Sequence, residues 1–470
     1  MNILFASSEI YPYAKSGGLA DVSSSLPKAI AEYEKIISVM PLYSSVDLQK
    51  YDIKKTNISF SVELKAGFFA FEVYSCDGVY FLKNDYLFAR GAMYGDYHDN
   101  NIRFGVFCHA VLEFVKLLKI EFKIIHINDW QTALIALLAK TRYGLDAKIV
   151  FTIHNLAYQG VFYKDTVDLL EMGWDSFTLE KFESYDMVNL LKGAVAYSDK
   201  ITTVSKTYAK EILTREYGCM LENFLTTNSY KLEGILNGVD YKEFDPLHDA
   251  NIYSRYDSVI SKKKAKNKEL LLEELGLNDV NRPLMVFIGR FTSQKGVELL
   301  LEMVHFLKDS EINIAIIGDG ERFFVDRFLE LSSVYKNLSI TIGYNEALAR
   351  RFYASADFLL MPSLYEPCGL NQMIAYRYGA VPIVRKTGGL ADSVVDFATH
   401  NAYKNDIGVG VVFERADSFS ILHAVLRALS LFCNKDMYIK TIKYNKTIDN
   451  SWSHRAKEYI NIYKSLTKEG

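Results

Sequence analysis

Short apolar runs that alternate with longer amphipathic segments constrain this chain more than anything else in it. Residues Asn2 to Ser7, Ile124 to Ile127, Ile149 to Ile153 and Ile201 to Val204 read as buried strands. Helical patterns such as Trp130 to Thr141 and Met187 to Ala196 lie between them. Leu284 to Ile288, Ile312 to Ile317, Phe358 to Met361 and Val381 to Val384 repeat the theme in the second half. Strands of this kind, separated by helices, predict α/β domains with doubly wound parallel sheets. With 470 residues the chain is too long for one core, so two domains are expected. A boundary is placed in the Asn-Gly turn and polar stretch from Asn237 to Pro246. The lysine-rich segment Ser261 to Lys268 reads as a solvated charged face.

Composition narrows the function. The 54 basic and 57 acidic residues give a net charge of −3, which argues against a nucleic-acid binder held by bulk charge. Five cysteines, none in a C-x-x-C pair, point away from a disulfide framework or zinc site and towards a reducing compartment. The N-terminus lacks the pattern of a signal peptide, and no run is apolar enough to span a bilayer. A cytoplasmic protein without nucleic-acid or membrane partners is expected.

One internal echo stands out. Lys15-Ser-Gly-Gly-Leu-Ala-Asp21 recurs as Lys386-Thr-Gly-Gly-Leu-Ala-Asp392, each time after a strand and at the start of a helix. Paired glycines let a backbone approach a ligand, and free N–H groups at a helix start attract anions. A lone Gly-Gly is more often a turn; the repeated six-residue pattern favours a phosphate role. Arg290 and Lys295 follow the strand Leu284 to Ile288 and could converge on a diphosphate, or could equally decorate a solvated loop. Glu366 follows Phe358 to Met361, placed for a ligand cleft or for capping the next helix. Cys368 reads as a buried small residue, not a nucleophile. In the first half, His126-Ile-Asn-Asp129-Trp130 and His154-Asn155 put polar residues at adjacent strand ends, suggesting a sugar-binding rim. Trp130 could stack on a sugar or pack in the core.

Taken in order, six motifs resemble the bacterial glycogen synthase and plant starch synthase family of GT-B glycosyltransferases. They are Lys15-Ser-Gly-Gly-Leu-Ala-Asp21, His154-Asn-Leu-Ala-Tyr-Gln-Gly160, Gly234-Ile-Leu-Asn-Gly-Val-Asp240, Arg290-Phe-Thr-Ser-Gln-Lys295, Glu366-Pro-Cys-Gly-Leu370 and Lys386-Thr-Gly-Gly-Leu390. The resemblance runs through Ser451-Trp-Ser-His-Arg-Ala-Lys-Glu-Tyr459. It implies two Rossmann-like domains facing across a cleft: residues 1–240 on the acceptor side, 241–445 on the nucleotide-sugar donor side, and 446–470 as a helix crossing back.

The resemblance also implies roles. Glu366, His154, Arg290 and Lys295 match the catalytic positions. Glu366 would face the transferred glucose, His154 its 6-position, and the two cations the donor phosphates. Lys15, Gly17, Gly18, Asp21, Asn237, Tyr344, Cys368, Gly369, Leu370, Thr387, Gly388 and Gly389 match donor-binding positions, Tyr344 stacking on the base. Glu9, Asp129, Trp130 and Asn155 fall near the acceptor or sugar site. The implied reaction is retaining transfer of glucose from ADP-glucose to the non-reducing end of glycogen or a malto-oligosaccharide, with no cofactor and no metal. Lys206 stands where the family often has proline, and Ile374 replaces a glutamate found in other GT-B enzymes. No carbohydrate-binding extension is expected before Met1. Two alternatives remain: UDP-glucose as donor, and a glucan-binding protein that has lost catalysis.

Overall fold

The computed structural model describes residues 1–277, 279–343 and 345–467 of the 470. The chain divides into two compact units. Unit 1 comprises Met1–Val204, Ala209–Gly238 and the last helix, Trp452–Thr467; unit 2 comprises Ser205–Tyr208 and Val239–Ser451.

Unit 1 holds strands β1 (Asn2–Ala6), β2 (Lys35–Pro41), β3 (Lys54–Leu64), β4 (Gly67–Cys76), β5 (Val79–Lys83), β6 (Ile124–Asn128) and β7 (Lys148–Ile153). These are followed by β8 (Val161–Tyr163), β9 (Glu183–Ser184), β10 (Met187–Asn189), β11 (Lys200–Thr203) and β12 (Leu232–Gly234). Nine of them form one sheet in the order β12-β11-β7-β6-β1-β2-β5-β4-β3; β8, β10 and β9 make a small antiparallel sheet. The large sheet is parallel from β12 to β5, and β4 and β3 continue it as an antiparallel edge. Strand β6 is buried at every position, as a strand covered on both faces must be. The chain winds outward from β1 to β2, then returns to β6 on the other flank of β1. In such a sheet, ligands gather beyond the carboxyl ends of the strands at this reversal.

Unit 2 repeats the plan with β13 (Leu284–Ile288), β14 (Asn313–Gly318), β15 (Leu338–Ile342), β16 (Phe358–Met361), β17 (Val381–Arg385), β18 (Val394–Asp396) and β19 (Gly408–Phe413). All are parallel, in the order β15-β14-β13-β16-β17-β19-β18. The reversal falls between β13 and β16. Arg290 follows the first of these strands and Glu366 the second.

Three local expectations need correcting. The pattern over Met187 to Ala196 is strand β10 and then a helix, Leu190–Tyr197. The Asn189 side chain accepts the Lys192 N–H, and this cap starts the helix three residues late. Trp130 to Thr141 likewise splits into a short 3-10 turn, Trp130–Thr132, and a helix, Ile135–Thr141. The lysine run is only half solvated. In the helix Lys262–Leu275, the buried Lys264 ammonium donates to the carbonyls of Ala354 and Ala356, at 2.7 and 3.0 Å. Lys268, one turn on, pairs with Asp357 at 2.7 Å. Burial pushes Lys264 down to about 7.

Candidate active site

In unit 2 the loops after β13 and β16 are stitched together. Leu364 N–H donates to the Gln294 carbonyl at 2.9 Å, and the Asn371 amide to the Ile288 carbonyl at 2.8 Å. Lys295 Nζ thereby lies 2.7 Å from Glu366 Oε2. Ser363 Oγ donates to the same oxygen at 2.9 Å. Glu366 is buried, so two donors on one oxygen fix the carboxylate plane and leave Oε1 for another group. Arg290 is exposed at the end of β13, with no ion pair recorded for its guanidinium among the described residues. The site therefore carries one cation already engaged with the carboxylate and a second available to an incoming anion.

The second glycine loop packs directly on the Glu366 turn. Gly389 N–H lies 3.1 Å from the carbonyls of both Glu366 and Pro367. A Cβ on Gly388 would fall 2.0 Å from the Glu366 carbonyl, and one on Gly389 2.1 Å from that of Cys368. Only glycine permits this approach. Thr387 and Cys368 are buried in the same contact, and Gly369 and Leu370 lead into the helix Asn371–Tyr378. Tyr344 lies outside the described residues.

In unit 1 the first glycine loop is built differently. Gly17 and Gly18 are exposed, and a Cβ on either would meet nothing within 4 Å. Lys15 pairs with Asp21 at 2.8 Å, within the loop's own motif. The loop is anchored by Glu9, whose carboxylate accepts from Ser16 N–H and, at 3.1 Å, from Ser16 Oγ. Glu9 is only 2% exposed, and its carboxylate is engaged with the loop. Burial pushes Glu9 up to about 7, against the lowering effect of the Ser16 donors.

The ends of β6 and β7 meet beside it. Asp129, at a φ of 52°, accepts the His154 N–H on Oδ1 at 2.8 Å. Burial pushes Asp129 up to about 7, opposed by the His154 and Asn155 N–H groups. His154 Nε2 lies 2.9 Å from Asn128 Oδ1, and burial pushes the ring down to about 3. Asn155 turns its side chain to the Ala157 N–H at 3.1 Å. Trp130 is half-buried and packs among Phe104, Phe162 and Gly160. Asn237 is buried, with Oδ1 lacking a partner among the described residues. Such an acceptor is costly unless a ligand satisfies it. Three residues absent from the sequence-based site hold its candidates in place: in unit 2 Ser363, on Glu366, and in unit 1 Ser16, on Glu9, and Asn128, on His154. Each lay inside or beside a quoted motif, but its partner comes from chain folding, which spacing does not report.

Residues 2–227 match the starch synthase catalytic domain, and residues 270–442 match glycosyl transferases group 1. The chain is 45% identical to a glycogen synthase of Aquifex aeolicus over 471 residues, covering 99% of each. It is 41% identical to one of Koribacter versatilis, covering 99% of this chain and 98% of that one. The chain belongs to the glycogen synthase and starch synthase family. It is thus a glycosyltransferase of the GT-B fold. The catalytic domain of starch synthase IV from Arabidopsis thaliana, solved with ADP and acarbose, superposes with a TM-score of 0.92 at 31% identity, covering 100% of this chain and 99% of that one. A sucrose-phosphate synthase of Thermosynechococcus elongatus, at 15% identity and a TM-score of 0.63 over 99% of this chain and 98% of its own, shares the fold. Among the described residues no group of three His, Cys, Asp or Glu is placed to hold a metal ion, and no helix is long and apolar enough to cross a membrane.

Proposed function

We propose that this chain elongates an α-1,4-glucan in the cytoplasm, moving glucose from ADP-glucose to the non-reducing end with retention and without a divalent metal. The observation that carries the reading is the Lys295–Glu366–Ser363 cluster beside Arg290, at the strand reversal of unit 2. Breaking the bond from the anomeric carbon to a diphosphate makes the sugar ring positive and the leaving oxygen negative. Arg290 and Lys295 supply positive charge for the leaving group in place of a metal ion. The free oxygen of Glu366 orients sugar hydroxyls and stabilises the ring cation. The leaving phosphate oxygen, on the same face as the incoming acceptor hydroxyl, takes its proton. The ADP and acarbose bound to the Arabidopsis relative favour an adenine nucleotide donor and an α-glucan acceptor here as well.

The test is incubation with glycogen and either ADP-glucose or UDP-glucose, following nucleoside diphosphate release with and without a chelator. Elongation from ADP-glucose that survives chelation is expected. Elongation from UDP-glucose alone would reassign the donor, and loss on chelation with recovery on magnesium would reassign the chemistry. No turnover with either donor would leave a glucan-binding protein.

A further inference from the structure

The turn that carries Glu366 is fastened by one short stretch of chain, Arg385 to Gly389, where β17 ends. Arg385 is the last residue of that strand and pairs with Phe413 on β19; the next N–H, of Lys386, still donates to the Phe413 carbonyl at 2.8 Å. Its backbone is therefore fixed by the sheet. The guanidinium reaches to the loop after the neighbouring β16. Nη1 donates to the Leu364 carbonyl at 2.6 Å and lies 3.4 Å from the Ser363 carbonyl. Four residues on, Gly389 N–H lies 3.1 Å from the carbonyls of Glu366 and Pro367. Both ends of the turn are thus tied to one strand end: 363 and 364 by a side chain, 366 and 367 by a backbone amide.

The tie at 363 and 364 bears on the carboxylate. Residues 362–370 belong to no helix or strand, so the turn keeps its shape only through such contacts. Leu364 is gripped from both sides, its N–H by the Gln294 carbonyl at 2.9 Å and its carbonyl by Arg385. Ser363, just before it, is 1% exposed and gives its hydroxyl to Glu366 Oε2 at 2.9 Å. Of the two donors on that oxygen, Lys295 has a four-carbon stem and can follow the carboxylate as it turns. Ser363 Oγ, held on a single carbon, cannot; it reaches Oε2 only while the backbone beneath it stays in place. We infer that Arg385 is a positioning residue for Glu366: by clamping the Ser363 and Leu364 carbonyls it holds Ser363 Oγ on Oε2, and so sets where Oε1 points. This rests on the glucosyl-transfer reading above, in which Oε1 faces the sugar. Arginine suits the task, because its planar fork of donors serves two carbonyls from one rigid group, where an ammonium on a flexible stem does not.

Steady-state kinetics of the full chain with ADP-glucose and glycogen test it. Arg385→Met keeps the apolar stem and loses the donors; kcat should fall about tenfold to fiftyfold, with KM for ADP-glucose changed by less than about threefold. Arg385→Lys, which still donates to one carbonyl, should lose less than about fivefold. Added to Glu366→Gln, where the carboxylate to be positioned is gone, Arg385→Met should cost less than about threefold. The same loss in both backgrounds would make Arg385 independent of Glu366. A raised KM with kcat intact would make it a ground-state donor contact. An unfolded Arg385→Met would reduce it to a brace of unit 2, and a lysine variant as poor as the methionine one would take hydrogen bonding out of the account; each of these results overturns the inference. A crystal structure of Arg385→Met gives the readout that needs no turnover: Ser363 Oγ should stand beyond about 3.5 Å from Glu366 Oε2. If that hydrogen bond survives, the route through Ser363 is refuted while the transferase reading stands. If the wild type transfers no glucose, it is the transferase reading that fails, and the crystal structure still decides whether Arg385 holds Ser363 on Glu366.

Discussion

One oxygen of Glu366 takes both Lys295 and Ser363, and this determines what a single-atom change does. In Glu366→Gln the amide will turn its oxygen to those two donors, because the reverse would set NH2 against an ammonium. The NH2 then stands where the free carboxylate oxygen stood, so an acceptor becomes a donor and the charge facing the sugar is lost. We expect turnover to fall about a hundredfold, the usual cost of one electrostatic stabiliser of about 3 kcal/mol, with the unfolding temperature little changed. Near wild-type turnover would reduce Glu366 to a loop brace. Glu9 gives a prediction of a different kind. Its folded pKa, about 7, lies above the ordinary 4.5, so the folded state binds a proton that the unfolded state has already released. The stability it contributes is whole below about 4.5 and is lost as pH rises through 7. Glu9→Gln cannot release that proton. Urea unfolding at pH 6 and pH 8 should show wild-type stability falling by about 1 kcal/mol more than that of the variant. Asp129, raised for the same reason, keeps part of the fall in both proteins.

At the scale of elements, the two copies of the glycine motif diverge. The sequence shows them as equals, yet one is open to solvent and the other is wedged against the Glu366 turn. A Cβ on Gly389 would meet backbone, which cannot swing aside as a flexible side chain can. Gly389→Ala should therefore destabilise unit 2 by about 2 kcal/mol or more and displace Glu366, whereas Gly17→Ala should leave stability within about 0.5 kcal/mol. Chemical denaturation of both variants checks the contrast, and equal effects would refute it. The same comparison shows what was legible. Parallel strands such as β13 and β16 are near-continuous apolar runs, so they and the loops after them could be read directly, which gave the positions of Arg290, Lys295 and Glu366, while the roles of the three came only from the resemblance. What could not be read were partners supplied by distant chain. Lys264 looks like one lysine among several, because the carbonyls it serves lie at Ala354 and Ala356. The engagement of Glu9 with Ser16 could not be read either, because it depends on how the loop between them folds back. Asn189 splits what reads as one continuous helical pattern by one side-chain cap.

For the whole molecule, the order of the chain matters as much as its two large sheets. Unit 1 begins the sequence, is interrupted by nearly all of unit 2, and is completed by the helix Trp452–Thr467. That helix is part of the core of unit 1. Trp452, Tyr459, Ile460 and Tyr463 are all at most 5% exposed and cluster with Ile3, Phe5, Val22, Leu26 and Ile30. Tyr463 also reaches the buried His126, its hydroxyl 2.6 Å from Nδ1. Gly238 lies against Trp452 so closely that a Cβ would meet its backbone nitrogen at 2.7 Å. Burying four such side chains is worth about 2 kcal/mol each, or about 8 kcal/mol together, against a total domain stability of about 5–15 kcal/mol. A chain ending at residue 451 should therefore lose the cooperative folding of unit 1, while unit 2, whose core has no residue in the helix, keeps its own transition. Residues 1–238 alone should likewise collapse without fixed packing, and joining them by a short linker to residues 452–467 should restore a cooperative transition. Near-ultraviolet circular dichroism and thermal unfolding of the three proteins provide the measurement. If residues 1–238 unfold cooperatively at the temperature of the linked form, the helix is a decoration on a core that is already complete.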